Sequence, residues 1–132
     1  STLGDMLVAL CRQQGIQKAT IPDEFNIAES FARSDQISFA LAGIPTILLT
    51  DGVDYQTISR TEGIKKHKKW MREIYHSTKD DLNQPINWDA VEQHANLLYQ
   101  FVQQVSNSTQ EPQWHAGSRY INARLQSIAE KR

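Results

Sequence analysis

The sequence predicts an α/β layered domain, because segments with helical periodicity alternate with short apolar segments of strand length. Two segments have that length, at residues 18–21 and 46–50. The second is continuously apolar in its centre, as expected for a strand that is covered on both faces of a sheet. Two or three strands are few for a complete sheet of this kind, so we expect an incomplete domain that is part of a larger one.

The first element is a helix. Apolar residues at positions 3, 6, 7 and 10 share one helical face. Thr2 and Asp5 have the spacing of a capping box, and Gly15 can adopt the left-handed backbone that ends a helix. Pro22 then stops the short strand at 18–21.

A short helix and the second strand come next. Ser34 or Asp35 can cap a helix that runs through Ala42, and Gly43 can close it. Pro45 has no N–H group to donate to a neighbouring strand, so it suits the position at which the strand at 46–50 begins. A turn at 51–52 ends that strand.

Helices dominate the second half. Residues 64–74 predict a basic helix that ends just before His76, and Asn87 can cap the longest helix of the chain. A polar linker follows that helix at 106–112, Trp114 is placed to anchor the linker, and residues 117–130 predict a last helix. The longest helix carries one apolar stripe, which consists of Trp88, Val91, Ala95, Leu98, Val102 and Val105.

Composition and charge exclude several classes of function. The chain has 132 residues, of which 39% are apolar and 22% are charged, as in an ordinary globular domain. The net charge of −1 gives no field for nucleic acid, and a solvated helix face explains the basic run at 65–69 better. No apolar run reaches the roughly 18–20 residues of a membrane span. The single cysteine, Cys11, excludes an internal disulfide.

Residues 75–80 hold the most promising side chains for chemistry. A neutral imidazole is a good zinc ligand, so His76 is a candidate metal ligand, although a solvated surface histidine is the simpler interpretation of the residue alone. Tyr75 could donate its phenolic proton to a developing oxyanion, or close the loop as a half-buried aromatic residue. Asp80 could accept a hydrogen bond from His76, or cap a turn.

Two ordered motifs resemble the co-catalytic zinc aminopeptidases and carboxypeptidases, a metallopeptidase family with a phosphorylase/hydrolase-like fold. The first motif keeps Arg-Ser-Asp at residues 33–35, Phe39, and Gly-Ile-Pro at residues 43–45, with Gln36 in place of the usual histidine. The second is the Tyr-His, Ser-Thr and Asp pattern of residues 75–80. The helix from Trp88 and the tail at 112–117 resemble the closing part of one bacterial branch, so the resemblance covers nearly the whole chain.

The resemblance implies a three-layer α/β/α sandwich and a peptidase that uses two zinc ions, five ligand side chains and a metal-bridging water. Residues 1–132 would be the C-terminal part of the catalytic domain, with 106–132 as its tail and last helix. The resemblance assigns His76 as the fifth ligand, Tyr75 as the catalytic residue that stabilises the oxyanion, and Asp80 as support for the loop. The other four ligands belong to the family's N-terminal half, so we expect them upstream of Ser1 and an isolated chain that is inactive.

Three functions remain open on these grounds. An exopeptidase acting on peptides, by preference an aminopeptidase, is the leading hypothesis. The alternatives are a non-catalytic binding or scaffold module with the peptidase fold, and a glutaminyl-cyclase-like transferase that uses one zinc ion. No nucleic-acid partner is expected, and the exposed edge of an incomplete sheet predicts self-association. The residues assign no compartment, and because many relatives are exported, the resemblance implies an exported parent protein.

Overall fold

Six helices and their connecting loops make up the described part of the chain. The computed structural model describes residues 1–19, 21–22, 25 and 27–130, apart from the side chains of residues 27 and 28. The helices are α1 (Thr2–Gln13), α2 (Ile27–Ala32), α3 (Gln36–Leu41), α4 (Arg60–Glu73), α5 (Trp88–Ser106) and α6 (Ile121–Ala129). None of these six combines the length and the apolar character that crossing a membrane requires.

The predicted α/β sandwich is wrong, because the described ranges contain no strand and no sheet. Residues 46–50 form a loop, and their backbone N–H groups donate to no carbonyl within those ranges. A strand needs a neighbour to complete its ladder of hydrogen bonds, and no other described segment supplies one. Ile47 packs against the helical core instead, and the Thr46 carbonyl accepts a hydrogen bond from the Ser1 hydroxyl at 3.3 Å. The first predicted strand includes Thr20, which lies outside the described residues.

The core lies between α1 and α5. It buries one face of each helix, with Leu3, Leu7, Leu10 and Cys11 on α1 and Leu97 and Phe101 on α5. Burying one such side chain contributes about 1.5–3 kcal/mol relative to leaving it exposed, so this helix pair is a major source of stability. The apolar face predicted for the first helix is therefore confirmed.

The two ends of α1 differ in how well the sequence predicts them. Gly15 follows the helix with a φ of 69°, which confirms the predicted left-handed termination. The capping box predicted from Thr2 is wrong, because Ser1 is the N-cap residue and makes no side-chain capping bond. The Thr2 hydroxyl accepts a hydrogen bond from the N–H of Gln113 at 2.9 Å, so it ties the C-terminal tail to the start of α1.

Only one of the two apolar faces of α5 is covered. The cap is as predicted, since the Asn87 side chain accepts a hydrogen bond from the N–H of Ala90 at 3.1 Å. Within the predicted stripe, Val105 packs against the core, but the stripe as a whole is wrong as the buried face. Its exposed members include Trp88, Val91, Leu98 and Val102. The helix is apolar on two sides, and α1 packs only on the side of Leu97 and Phe101.

The C-terminal tail and α6 cover the turn that ends α3. The Trp114 indole donates a hydrogen bond to the Gly43 carbonyl at 3.2 Å, which confirms the predicted anchor. Gly43 has a φ of 82°, and a β-carbon built on it would lie 2.5 Å from the backbone nitrogen of Arg124 in α6. The last helix begins at Ile121 rather than at residue 117, where Gly117 adopts a φ of 83° and forms a turn.

Candidate active site

The candidate residues follow α4, whose first turn is fixed by a capping box. The Ser59 hydroxyl accepts a hydrogen bond from the N–H of Glu62 at 3.3 Å, and the Glu62 carboxylate accepts one from the N–H of Ser59 at 3.1 Å. Hydrogen bonding to the Ser59 side chain and backbone lowers the pKa of Glu62 below its ordinary value of 4.5. The helix therefore begins four residues before the predicted start, and the Ser-x-x-Glu spacing at 59–62 was the signal that the sequence reasoning missed.

The N-terminal half of α4 lies directly on the loop before it. A β-carbon on Gly63 would collide with the Val53 carbonyl, so the absence of a side chain at Gly63 is what permits this approach. The Arg60 guanidinium binds the Asp54 carboxylate at 2.7 Å. These contacts hold the N-terminal half of α4 against the preceding loop, and the candidate residues follow the other end of the helix.

The C-terminal end of α4 turns sharply into the candidate loop. The Trp70 carbonyl accepts hydrogen bonds from the N–H groups of Ile74 at 2.9 Å and Tyr75 at 3.0 Å. His76 then adopts a φ of 53°, and it is a non-glycine residue with a left-handed backbone. The Ser77 hydroxyl donates to the Ile74 carbonyl at 2.6 Å and accepts from the N–H of Lys79 at 3.2 Å. The loop is thus held by its own hydrogen bonds.

Three aromatic rings meet in this loop and form what we call the aromatic ladder (Trp70, Tyr75 and His76). The Tyr75 and His76 rings stack, with centroids 3.7 Å apart and planes 21° apart. The Trp70 ring lies 5.2 Å from Tyr75 at 46°. Consecutive side chains of an extended strand point to opposite sides, so the left-handed turn at His76 is what allows the two rings to stack. The two predicted site residues are therefore brought together.

Charged side chains on α4 lie close in sequence to the aromatic ladder. Hydrogen bonding to Arg72 is the main cause that lowers the pKa of Glu73; desolvation opposes it, and the charges of Arg72, Lys69 and Lys79 lower it further. Lys69 and Arg72 both lie within ion-pair distance of the Glu73 carboxylate, at 4.0 and 2.6 Å. Lys69 and Arg72 are therefore both paired with the same carboxylate at this end of α4.

Asp80 does not contact the imidazole. Its N–H donates to the Ser77 carbonyl at 3.1 Å, and its side chain makes no hydrogen bond within the described ranges. Of the two interpretations of Asp80, the structure shows a turn residue and no hydrogen bond to His76.

The Arg-Ser-Asp segment has structural roles of its own. Arg33 pairs with Glu29 at 3.2 Å, and Asp35 is the N-cap residue of α3 without a side-chain capping bond. The Gln36 amide donates to the Phe31 carbonyl at 2.8 Å. No hydrogen bond or ring contact of the described residues joins this segment to His76.

Comparison with models of known families identifies the family to which the chain belongs. A family model described as peptidase family M28 matches residues 1–102. The chain belongs to peptidase family M28. Searches of curated proteins and of solved structures found no match. The matched region of this M28 chain contains both motifs and most of α5, whereas the tail and α6 lie beyond it.

The described residues of the M28 chain do not by themselves fit a zinc ion. Nowhere in those ranges do three His, Cys, Asp or Glu side chains come close enough together to hold a metal. A protein zinc ion normally takes about four ligands, so His76 alone is insufficient. Two of the other histidines are in ion-pair contact with single carboxylates, His94 with Asp51 at 3.3 Å and His115 with Asp5 at 3.1 Å. His76 makes no such ion pair among the described residues, and it lies exposed in a loop that is held by its own hydrogen bonds.

Proposed function

We propose that the chain is the C-terminal part of a zinc-dependent exopeptidase, by preference an aminopeptidase, to which it contributes His76 as one metal ligand and Tyr75 as a hydrogen-bond donor. The observation that carries the proposal is the stacked Tyr75–His76 pair on an exposed loop of an M28 chain. Members of this family are generally zinc-dependent. The remaining ligands would come from residues outside this chain.

The backbone of His76 supports a role that stability does not explain. A left-handed conformation costs a non-glycine residue roughly 1–2 kcal/mol, and such outliers cluster at functional sites. His76 is exposed, so its imidazole is buried in no core that could offset the cost. The stacking on Tyr75 holds the ring in one orientation, as a metal ligand requires.

The phenol of Tyr75 is free to act on a substrate. The residue is 40% exposed, and its hydroxyl makes no hydrogen bond to any part of the chain that the structure describes. A phenolic O–H beside a reacting carbonyl can stabilise the oxyanion that forms there. In the proposed enzyme Tyr75 would donate this hydrogen bond.

The decisive experiment measures zinc content and hydrolysis of an aminoacyl-anilide with the complete protein that contains this chain. We expect two zinc ions and zinc-dependent cleavage. The His76→Ala variant should lose at least one zinc ion and the activity, whereas the control His94→Ala should keep both, because His94 pairs with Asp51 and not with the loop. Two zinc ions without cleavage would favour a scaffold module, and one zinc ion with cyclisation of glutaminyl peptides would favour the transferase.

The 132-residue chain alone should bind zinc weakly or not at all. Isothermal titration calorimetry of the chain and of His76→Ala should show no clear difference in affinity, because one imidazole cannot satisfy the metal. A tight, His76-dependent site in the isolated chain would contradict the idea that the other ligands come from elsewhere.

A further inference from the structure

We propose that the outer face of α4 is a docking surface for an acidic segment of a polypeptide, and we call it the basic face (Lys65, Lys68, Lys69 and Arg72). The helix carries six of the 14 Lys and Arg side chains of the chain but only two of its 15 Asp and Glu side chains. It therefore has a net charge of +4, while the rest of the chain carries −5. Binding there needs neither a metal ion nor catalysis and is independent of the proposed peptidase activity.

The basic face lies opposite the covered side of α4. The spacing i, i+3, i+4 and i+7 places its four residues within about 100° around the helix axis, and all four are exposed. The covered side holds Gly63, which lies against the Val53 carbonyl, and His67, whose ring centroid lies 4.9 Å from that of Phe25. The contacts that hold α4 in place therefore leave the basic face open to a partner.

The spacing of these cations works against the stability of the helix. Like charges three and four residues apart repel each other, which applies to Lys65 with both Lys68 and Lys69, and to Arg72 with the same two lysines. The helix dipole favours Arg72 in the last turn, but Lys65 and Lys68 lie further from that end. The Glu62 carboxylate binds Ser59 in the capping box, and Glu73 is shared by Lys69 and Arg72. Solvation explains why these side chains are exposed, but it does not explain why they cluster, whereas a surface that binds negative charge requires the clustering.

The spacing along the basic face fits an extended peptide. Residues 65 and 69 are about 6 Å apart along the helix axis, as are residues 68 and 72. Alternate residues of an extended chain point to the same side and are separated by about 6.6–6.8 Å. A segment with carboxylates at alternate positions can therefore pair with successive cations of the basic face, through charge-assisted hydrogen bonds.

Broader anionic partners fit less well. A helix that binds a membrane surface presents large apolar side chains beside its cations, so that they enter the lipid. The exposed Trp70 and Met71 of α4 lie outside the arc that the basic face occupies. A nucleic-acid duplex is wider than one helix face, and the net charge of −5 on the rest of the chain would repel it.

Isothermal titration calorimetry of the 132-residue chain with the peptide acetyl-Glu-Ser-Glu-Ser-Glu-Ser-Glu-amide tests the proposal. The double variant Lys65→Glu with Lys69→Glu should weaken binding at least about tenfold, and Lys65→Gln with Lys69→Gln about threefold. The control Lys18→Glu with Arg119→Glu changes the net charge equally at exposed positions outside α4 and should weaken binding less than about twofold. No binding by the wild-type chain, or an equal loss in the two charge-reversed variants, would overturn the proposal.

The same titration distinguishes the other anionic partners. Vesicles of phosphatidylcholine and phosphatidylserine in equal parts, and a DNA duplex, should bind the wild-type chain more weakly than the peptide does. Tighter binding of either one that is lost in Lys65→Glu with Lys69→Glu would overturn the choice of an acidic polypeptide. Raising sodium chloride from about 0.05 M to about 0.3 M should weaken peptide binding at least about threefold, and binding that salt leaves unchanged would contradict an electrostatic surface.

Discussion

Replacing Gly43 by alanine tests whether α6 packs on the turn that ends α3. The new β-carbon would lie 2.5 Å from the nitrogen of Arg124 and 2.6 Å from the carbonyl carbon of Ala123. Both are backbone atoms, so no side-chain rotation can relieve the collision, and either the turn or α6 must move. The φ of 82° adds a second penalty, because alanine disfavours the left-handed region that glycine occupies freely.

The expected destabilisation follows from these two penalties. Holding alanine in the left-handed region costs roughly 1–2 kcal/mol, and overpacking a closely packed site costs roughly 1–3 kcal/mol. We therefore expect Gly43→Ala to lower the free energy of unfolding by about 2–5 kcal/mol, a large share of the roughly 5–15 kcal/mol of a typical domain.

Two other glycines separate the penalties. Gly15 has a φ of 69° and open space around its β-carbon position, so Gly15→Ala should cost only the conformational term of about 1–2 kcal/mol. Gly4 lies inside α1 with nothing near its β-carbon position, so Gly4→Ala should stabilise by about 0.5–1 kcal/mol.

Urea unfolding followed by far-ultraviolet circular dichroism measures all of these variants. Trp114→Phe should cost about 1 kcal/mol through loss of the indole hydrogen bond to the Gly43 carbonyl. If Gly43→Ala costs no more than Gly15→Ala, then α6 does not press on this turn, and the position of the last helix described above is wrong.

Three further predictions concern α4, the candidate loop and the exposed helix face. Ser59→Ala should cost about 1 kcal/mol at neutral pH. The pKa of Glu62 is lowered in the folded state, so the stability that its carboxylate contributes is present above pH 4.5 and is lost as the pH falls through the folded pKa. Ser59→Ala should therefore lose less stability on acidification than the wild type. Thermal melts at pH values from neutral to below 4.5 measure this difference. His76→Gly should be about 0.5–1 kcal/mol more stable than His76→Ala, the reverse of the usual order, and the usual order would contradict a left-handed backbone there. Light scattering should show self-association, since the α5 face with Trp88 and Val91 is exposed; a compact monomer would contradict this.

Elements specified by adjacent residues were predictable from the sequence. The left-handed glycines at 15 and 43 and the Asn87 cap depend on conformations and hydrogen bonds within a few positions. The sequence also indicated that Trp114 anchors the tail, because an indole needs a partner for its N–H when it is partly buried. What it did not specify was which carbonyl accepts that hydrogen bond, because the acceptor is 71 positions away in the chain.

Elements that depend on distant partners were predicted wrongly. The apolar segment at 46–50 has the composition of a buried strand. Composition does not show whether a neighbouring strand is present to share its backbone hydrogen bonds. In the described chain, Ile47 packs against helices instead. The apolar stripe predicted on α5 is not the buried face of that helix, for a related reason. Leu97 and Phe101 compete with Leu98 and Val102 for the core, and only the position of α1 decides which face is buried.

In the candidate site, too, the sequence predicted some features and not others. The order Tyr-His before Ser-Thr and Asp predicted which loop to inspect, and this loop lies within the region that the family model matches. The positive φ of His76 and the stacking of its ring depend on how α4 ends, which no motif states. The hydrogen bonds of Trp70 and Ser77 that impose this ending involve only groups of this chain. The orientation of the imidazole therefore follows from contacts within this chain. In the enzyme proposed above, the remaining ligands would need only to be brought to this ring, because the loop by itself fixes how the ring is presented.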